Sequence, residues 1–190
     1  MNELDRSQLP ILIVVTGRPA SGKTTLAHTL ARKIRCPVIS RDEIKEGLIN
    51  TVKAVEKIEY RAKWHVYDAF FGVVELLLSK KITFIAEAAF QHKLWIPKLE
   101  LLESIAEIKI IYCRIDPELA RLRFIQRGLS DPQRAFFHSD RAVQVAEEEI
   151  LPIGNYNRPR MNVPTLTVNT SNGYEPKIPE IVSFIHTQEG

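Results

Sequence analysis

The stretch Ile11-Leu12-Ile13-Val14-Val15-Thr16-Gly17-Arg18-Pro19-Ala20-Ser21-Gly22-Lys23-Thr24 decides the fold. Its first five residues form an unbroken apolar, mostly β-branched run, the pattern of a strand buried on both faces of a parallel sheet. Gly17 to Thr24 matches G-x-x-x-x-G-K-[ST] in full. From Lys23 to Arg35, Leu26, Ala27, Leu30, Ala31 and Ile34 recur on one stripe, so a helix is predicted to leave the loop. Strand, glycine loop and helix in that order supply the context this motif needs.

The motif carries a physical mechanism. Glycines let the backbone fold so that several N–H groups converge on an anion, and the helix N-terminus adds partial positive charge. Gly17, Arg18, Ala20, Ser21, Gly22, Lys23, Thr24 and Thr25, with Arg127 from later in the chain, are the expected nucleotide-binding set. Lys23 can reach the β- and γ-phosphates, and the Thr24 hydroxyl can join the shell of a bound Mg²⁺. No [NT]-K-x-D stretch reads a guanine base, and no LSGGQ-like segment marks a transporter ATPase.

Outward from this unit, strand and helix alternate. Pro37 stops the first helix, and Val38-Ile39 is a short strand. Ser40-Arg41-Asp42-Glu43 has capping-box spacing, predicting a helix to about Asn50. A long helix is predicted over 55–80, a strand over 82–86, a helix over 92–105 and a strand over 108–115. Asp116-Pro117 reads as an N-cap followed by proline at the first helical position, opening a helix to about Gln126. Residues 128–140 are expected to form a lid, 141–150 a helix and 151–164 a loop. A fifth strand over 165–168 and a helix over 178–186 complete the chain. The rhythm implies one domain over 1–190, preceded by a flexible tail at 1–9. Its fold class is α/β: a three-layer α/β/α sandwich on a five-stranded parallel sheet.

In such a sheet, ligands bind outside the carboxyl ends of the strands. Asp42 follows the second strand and so stands where an acid could orient an acceptor hydroxyl and take its proton; it would equally complement the dipole of its own helix. Glu87 ends the third strand, where an acid could hold Mg²⁺ or bind substrate, or form a structural salt bridge. Arg123 and Arg127 are four apart on one helical face, placed to neutralise charge on a transferring phosphoryl group. Arg121 is expected to face water, and Arg134 falls in the lid, whose closure would exclude water. Asp116 is assigned to capping alone. His65, His92 and His138 lack metal-ligand spacing, and Trp64, Tyr67, Phe70 and Phe71 read as a core face rather than an acceptor pocket.

The segments GRPASGKTT (17–25), SRDEIK (40–45) and CRIDPELARLRFIQR (113–127) resemble the P-loop kinase superfamily. The resemblance is to its small AAA-type, zeta toxin, polynucleotide kinase, chloramphenicol phosphotransferase and gluconate kinase-like group. It implies a P-loop nucleoside triphosphate hydrolase fold of kinase type. It also implies that Asp42 faces the acceptor hydroxyl and that the pair Arg123 and Arg127 precedes a lid. In the polynucleotide kinase stretch an arginine follows the acid by three residues; this chain has Lys45 there. Where related kinases often carry Asp after the fifth strand, this chain has Asn169.

Composition is that of a globular protein rather than a disordered or fibrous one. The chain has 190 residues, 45% hydrophobic and 26% charged, with 8 Gly and 11 Pro. A net charge of +3 does not imply a nucleic-acid coat. Cys36 and Cys113 form no CxxC pair, which suits a reducing compartment. The polar start is not a signal peptide and no apolar run reaches bilayer length, so a cytoplasmic protein without membrane contact, monomeric or homodimeric, is expected. The expected activity is ATP- and Mg²⁺-dependent kinase action on a small-molecule hydroxyl. Catalysis is assigned to Lys23, Asp42, Arg123 and Arg127, and the metal to Thr24 and Glu87. A nucleic-acid 5′-hydroxyl kinase and a non-catalytic ATP-binding regulatory module are the alternatives.

Overall fold

The structure is a computed structural model describing residues 9–51, 59–90, 92–130, 156 and 158–187. Five parallel strands form one sheet in the order β2-β3-β1-β4-β5. They are β1 (Ile11–Gly17), β2 (Val38–Ser40), β3 (Phe84–Glu87), β4 (Glu107–Arg114) and β5 (Thr165–Asn169). The described helices are α1 (Lys23–Ile34), α2 (Arg41–Thr51), α3 (Glu59–Ser79), α4 (His92–Leu102), α5 (Pro117–Ser130) and α6 (Ile178–His186). This is the expected α/β sandwich, with β1 central.

Strand alternation divides the core. Leu12, Val14, Phe84, Ala86, Ile108 and Ile110 pack on one face against α3 and α4, through Phe70, Phe71, Val74, Leu78, Trp95 and Leu99. Ile13, Val15, Ile85, Ile111, Cys113 and Val168 pack on the other face against α1 and α6. Each buried Leu, Ile or Phe contributes about 1.5–3 kcal/mol on area grounds. Tyr67, Phe70 and Phe71 belong to this core, so the core reading holds for them, while Trp64 stays exposed at its rim. Phe90 and Trp95 complete the aromatic cluster, their centroids 4.5 Å apart.

Boundaries shift for local reasons. β3 begins at Phe84 rather than Ile82, because Ile82 N–H is taken by Leu77 O at 3.0 Å in the turn leaving α3. α4 ends at Leu102, where Ile105 and Ala106 N–H both close on Leu102 O at 3.0 Å. Pro97 lies inside α4 at an exposed position, so the backbone bond it lacks falls on the wet side. Asp116 caps α5 as expected: its Oδ1 accepts from Glu118 N at 2.9 Å and Leu119 N at 3.1 Å. α5 runs through Gly128 to Ser130, taking three residues from the expected lid. The rest of that lid with Arg134, the helix at 141–150, the tail at 1–8 and the start of the long helix at 55–58 lie outside the described residues. Among the described residues no helix is long and apolar enough to cross a membrane.

Candidate active site

The phosphate loop joins β1 to α1 at the carboxyl edge of the sheet. Gly17 cannot carry a side chain: a Cβ there would lie 2.5 Å from Ser21 Oγ and 2.7 Å from Cys113 O. At Gly22 the space is open, but φ is +79°, a left-handed conformation that caps α1 and favours glycine. Ala20 adopts φ +59° although it has a Cβ, and Ser21 N–H returns to Arg18 O at 3.2 Å. The chain therefore holds a strained turn immediately before the helix N-terminus, the backbone form of an anion nest. Arg18 and Thr24 are half-buried, Ala20, Ser21 and Lys23 are buried, and Thr25 is exposed on α1. Ser21 Oγ is buried with no hydrogen-bond partner among the described residues.

Lys23 is the first residue of α1, and its Nζ lies 3.3 Å from Glu87 Oε1. Glu87 is fully buried, and its other oxygen, Oε2, accepts from Ser40 Oγ at 2.7 Å. Oε1 is close to the lysine but is not aligned with it as a hydrogen bond. The ion pair is thus near in distance and incomplete in geometry. Ser40 also faces Glu43 N at 3.5 Å, the long remnant of the expected capping box; the Ser40 hydroxyl is turned to Glu87 instead. One chain of contacts therefore joins the phosphate-loop lysine, the acid of β3 and the entry to α2.

Asp42 lies in the first turn of α2, with its side chain 39% exposed. Among the described residues its ionic partner is its neighbour, Arg41 Nη1 at 3.6 Å. Asp42 is therefore open to solvent at the carboxyl end of β2, and not sequestered in a buried salt bridge. An exposed His28–Glu43 contact at 2.8 Å ties α1 to α2 beside it.

Arg123 departs from its expected station. Its Nη1 donates to Thr170 O at 2.9 Å and Nη2 to Ser171 O at 2.7 Å, so its guanidinium braces the turn after β5. The sequence reading aimed both arginines of α5 at the transferring phosphoryl group. A bidentate match to two adjacent carbonyls draws Arg123 to the protein instead. Arg127, one turn further on, is half-buried, and so is Arg121, which was expected to face water.

Two features had no signal in the sequence. Thr16 Oγ1, at the end of β1, accepts from Phe90 N at 3.1 Å and is hydrogen-bonded to the Tyr156 hydroxyl. The Tyr156 ring stacks on Tyr112 at 5.9 Å and 8°. Burial pushes the Tyr156 phenol well up, and the Thr16 contact draws it partly back. These residues meet across 74 and 140 positions of sequence, so no local pattern could pair them. Beneath the loop, burial raises the Cys113 thiol to about 12, against a lowering influence from Lys23.

Residues 12–148 match the family model described as an AAA domain. The chain belongs to that AAA domain family. No curated protein matches the chain. Solved structures do, at identities low enough that they speak to fold alone. A candidate kinase from Chloroflexus aurantiacus J-10-fl superposes with a TM-score of 0.73 at 24% identity, covering 95% of this chain and all (100%) of its own. The Mycobacterium tuberculosis APS kinase, solved with AMPPNP and APS, gives 0.65 at 14% identity, covering 94% of this chain and 99% of its own. A gluconokinase from Sinorhizobium meliloti gives 0.53 at 13%, covering 95% and 93%. The family is that of the AAA domain, and the fold is the α/β fold that these kinase structures share.

Proposed function

We propose that the protein transfers the γ-phosphoryl group of ATP to a hydroxyl of a small molecule. The observation that carries this reading is a buried Lys23 held 3.3 Å from a Glu87 oxygen that lacks a hydrogen bond among the described residues, with Glu87 tied to Ser40 at the entry to the helix that carries the solvent-open Asp42. A polyphosphate entering the loop offers Lys23 a better partner than the misaligned Glu87 oxygen. Asp42 stands in the first turn of α2, just past β2, where an acceptor can reach it.

In the reaction the acceptor oxygen bonds to the γ-phosphorus as the bridge to the β-phosphate breaks. The acceptor proton passes to an Asp42 carboxylate oxygen, and ADP leaves with the bridging electrons. A weak base suffices because the transition state is loose and proton transfer comes late. Thr24 and Glu87 fit a bound Mg²⁺: the hydroxyl is half-buried in the first turn of α1, and Glu87 Oε1 is a buried oxygen short of hydrogen bonds. When bound, Mg²⁺ would neutralise charge on the β- and γ-oxygens. Arg127 is proposed to face that charge from α5.

The test is a screen of hydroxyl compounds with labelled ATP, using Lys23→Ala as the blank. Asp42→Asn is expected to lower kcat on the accepted compound by about 100-fold or more while ATP still binds. Transfer at the wild-type rate by Asp42→Asn overturns the role of Asp42. Labelling of single-stranded nucleic-acid ends in preference to every small hydroxyl would replace the acceptor class. ATP binding with no transfer to any compound would favour a regulatory module.

A further inference from the structure

The turn that follows β5 is built with unusual completeness. Asn169 Oδ1 accepts from Ser171 N at 3.0 Å. Asn169 and Glu175 exchange backbone bonds, N–H to O, at 2.7 and 3.0 Å. Arg123 holds the carbonyls of Thr170 and Ser171 from α5. Thr170 itself is buried, its N–H on Arg114 O at 2.9 Å. Its hydroxyl lies 2.7 Å from Ser21 O and 3.2 Å from Arg114 O. One hydroxyl proton cannot serve both acceptors well, and the shorter contact goes to the phosphate loop.

That contact has a geometric consequence. The peptide joining Ser21 to Gly22 is a rigid trans plane, with the carbonyl oxygen and the N–H on opposite sides. Pinning Ser21 O against Thr170 therefore sets the direction of the Gly22 N–H, one of the amides available to an anion. We propose that Thr170 is a positioning residue for the phosphate loop, and that Arg123 acts through it by holding the turn in place. Affinity for a polyphosphate is then set partly from the β5 edge, without contact between Thr170 or Arg123 and the ligand. This inference rests on the phosphate-binding half of the proposed function.

The experiment compares ATP with inorganic tripolyphosphate, which has no base or sugar, as ligands of the full chain. Thr170→Val removes the hydroxyl at nearly constant shape. It is expected to weaken both ligands by about tenfold, the loss of one buried hydrogen bond. Thr170→Ser restores the hydroxyl and is expected to restore both affinities. Arg123→Gln is expected to weaken both ligands too, and the double variant Thr170→Val/Arg123→Gln to be no weaker than the worse single one. Thermal midpoints separate a positioning effect from loss of fold: Thr170→Ser and Thr170→Val should unfold within a few degrees of each other while differing in affinity. ATP weakened with tripolyphosphate unchanged would mean that the turn acts on the nucleoside, which overturns the proposal. Equal affinity of Thr170→Val and wild type for both ligands also overturns it, and leaves the kinase reading standing. A wild-type chain that binds neither ligand overturns both.

Discussion

Lys23 and Lys109 are both buried, and the protein treats them in opposite ways. Lys109 rises from β4 at the far end of the sheet, where its Nζ meets Ile185 O at 2.9 Å, Phe184 O at 3.3 Å, Thr187 O, and Glu107 Oε1 at 3.0 Å. It closes the C-terminal end of α6, where the helix presents unpaired carbonyls and negative partial charge. Lys23 stands at an N-terminal end, where the local field already favours anions, and meets one misaligned carboxylate oxygen. A buried ammonium with a full set of acceptors is structural, since any competing ligand would have to replace all of them. On the proposed function, a buried ammonium with one imperfect acceptor among the described residues is held in readiness.

Exchange of function is the sharpest way to break this contrast. Lys23→Met is expected to lower phosphoryl transfer by about a thousandfold, the scale of losing a transition-state charge clamp, while the chain still folds. Lys109→Met is expected to cost about 3 kcal/mol of stability, since it strands the carbonyls at the end of α6 and the Glu107 charge. Its ATP affinity, measured where the protein remains folded, should match wild type. Denaturant titration and labelled-ATP binding on both variants check this; a Lys109→Met protein that stays stable but loses ATP would invert the assignment.

Glu87→Gln gives a smaller effect and sharpens the comparison. The amide keeps an acceptor for Ser40 and removes the charge opposite Lys23. Transfer is expected to fall by about 10- to 100-fold, with a raised Mg²⁺ requirement. A Mg²⁺ titration that overlays wild type at an undiminished rate would reduce Glu87 to a structural partner.

Cys113, on β4 beside Gly17 of the phosphate loop, supplies the smallest effect. Its thiol titrates from 9.0 in an open chain to about 12 when folded. Its folded-state value is raised, so stability is fully present below about pH 9 and is lost as pH rises toward 12, where the unfolded chain releases a proton that the folded one keeps. Denaturation midpoints at pH 8 and pH 10 should differ less in Cys113→Ala than in wild type (both pH values are choices of roughly one unit either side of the free thiol). Equal pH dependence in the two proteins would contradict the burial argument.

The legible parts of the molecule are those that local chemistry dictates. Gly17, Gly22, Lys23 and Thr24 are bound by the geometry of one turn, and Asp116-Pro117 by the needs of one helix start, so short windows reveal both. The run Leu12 to Val15 reads as a strand buried on both faces, and its residues do alternate between the two halves of the core because a strand has a period of two. Lys109 gave no warning, since a lysine inside a strand looks like a solvent-facing residue until α6 arrives from 75 positions away. Arg123 is a related case: helical spacing places it beside Arg127, and two carbonyls 47 and 48 residues downstream hold its guanidinium. Ser40 reads as a cap and spends its hydroxyl on Glu87, 47 residues on.

On the proposed function, Lys23 waits on Glu87 for a phosphate. A crystal structure with a non-hydrolysable ATP analogue and Mg²⁺ tests it directly. The account predicts the polyphosphate seated on the amides from Ala20 to Thr24, with Lys23 Nζ moved from Glu87 Oε1 to a β- or γ-oxygen. A loop left empty at saturating analogue, or a bound nucleotide with Lys23 still on Glu87, would contradict it.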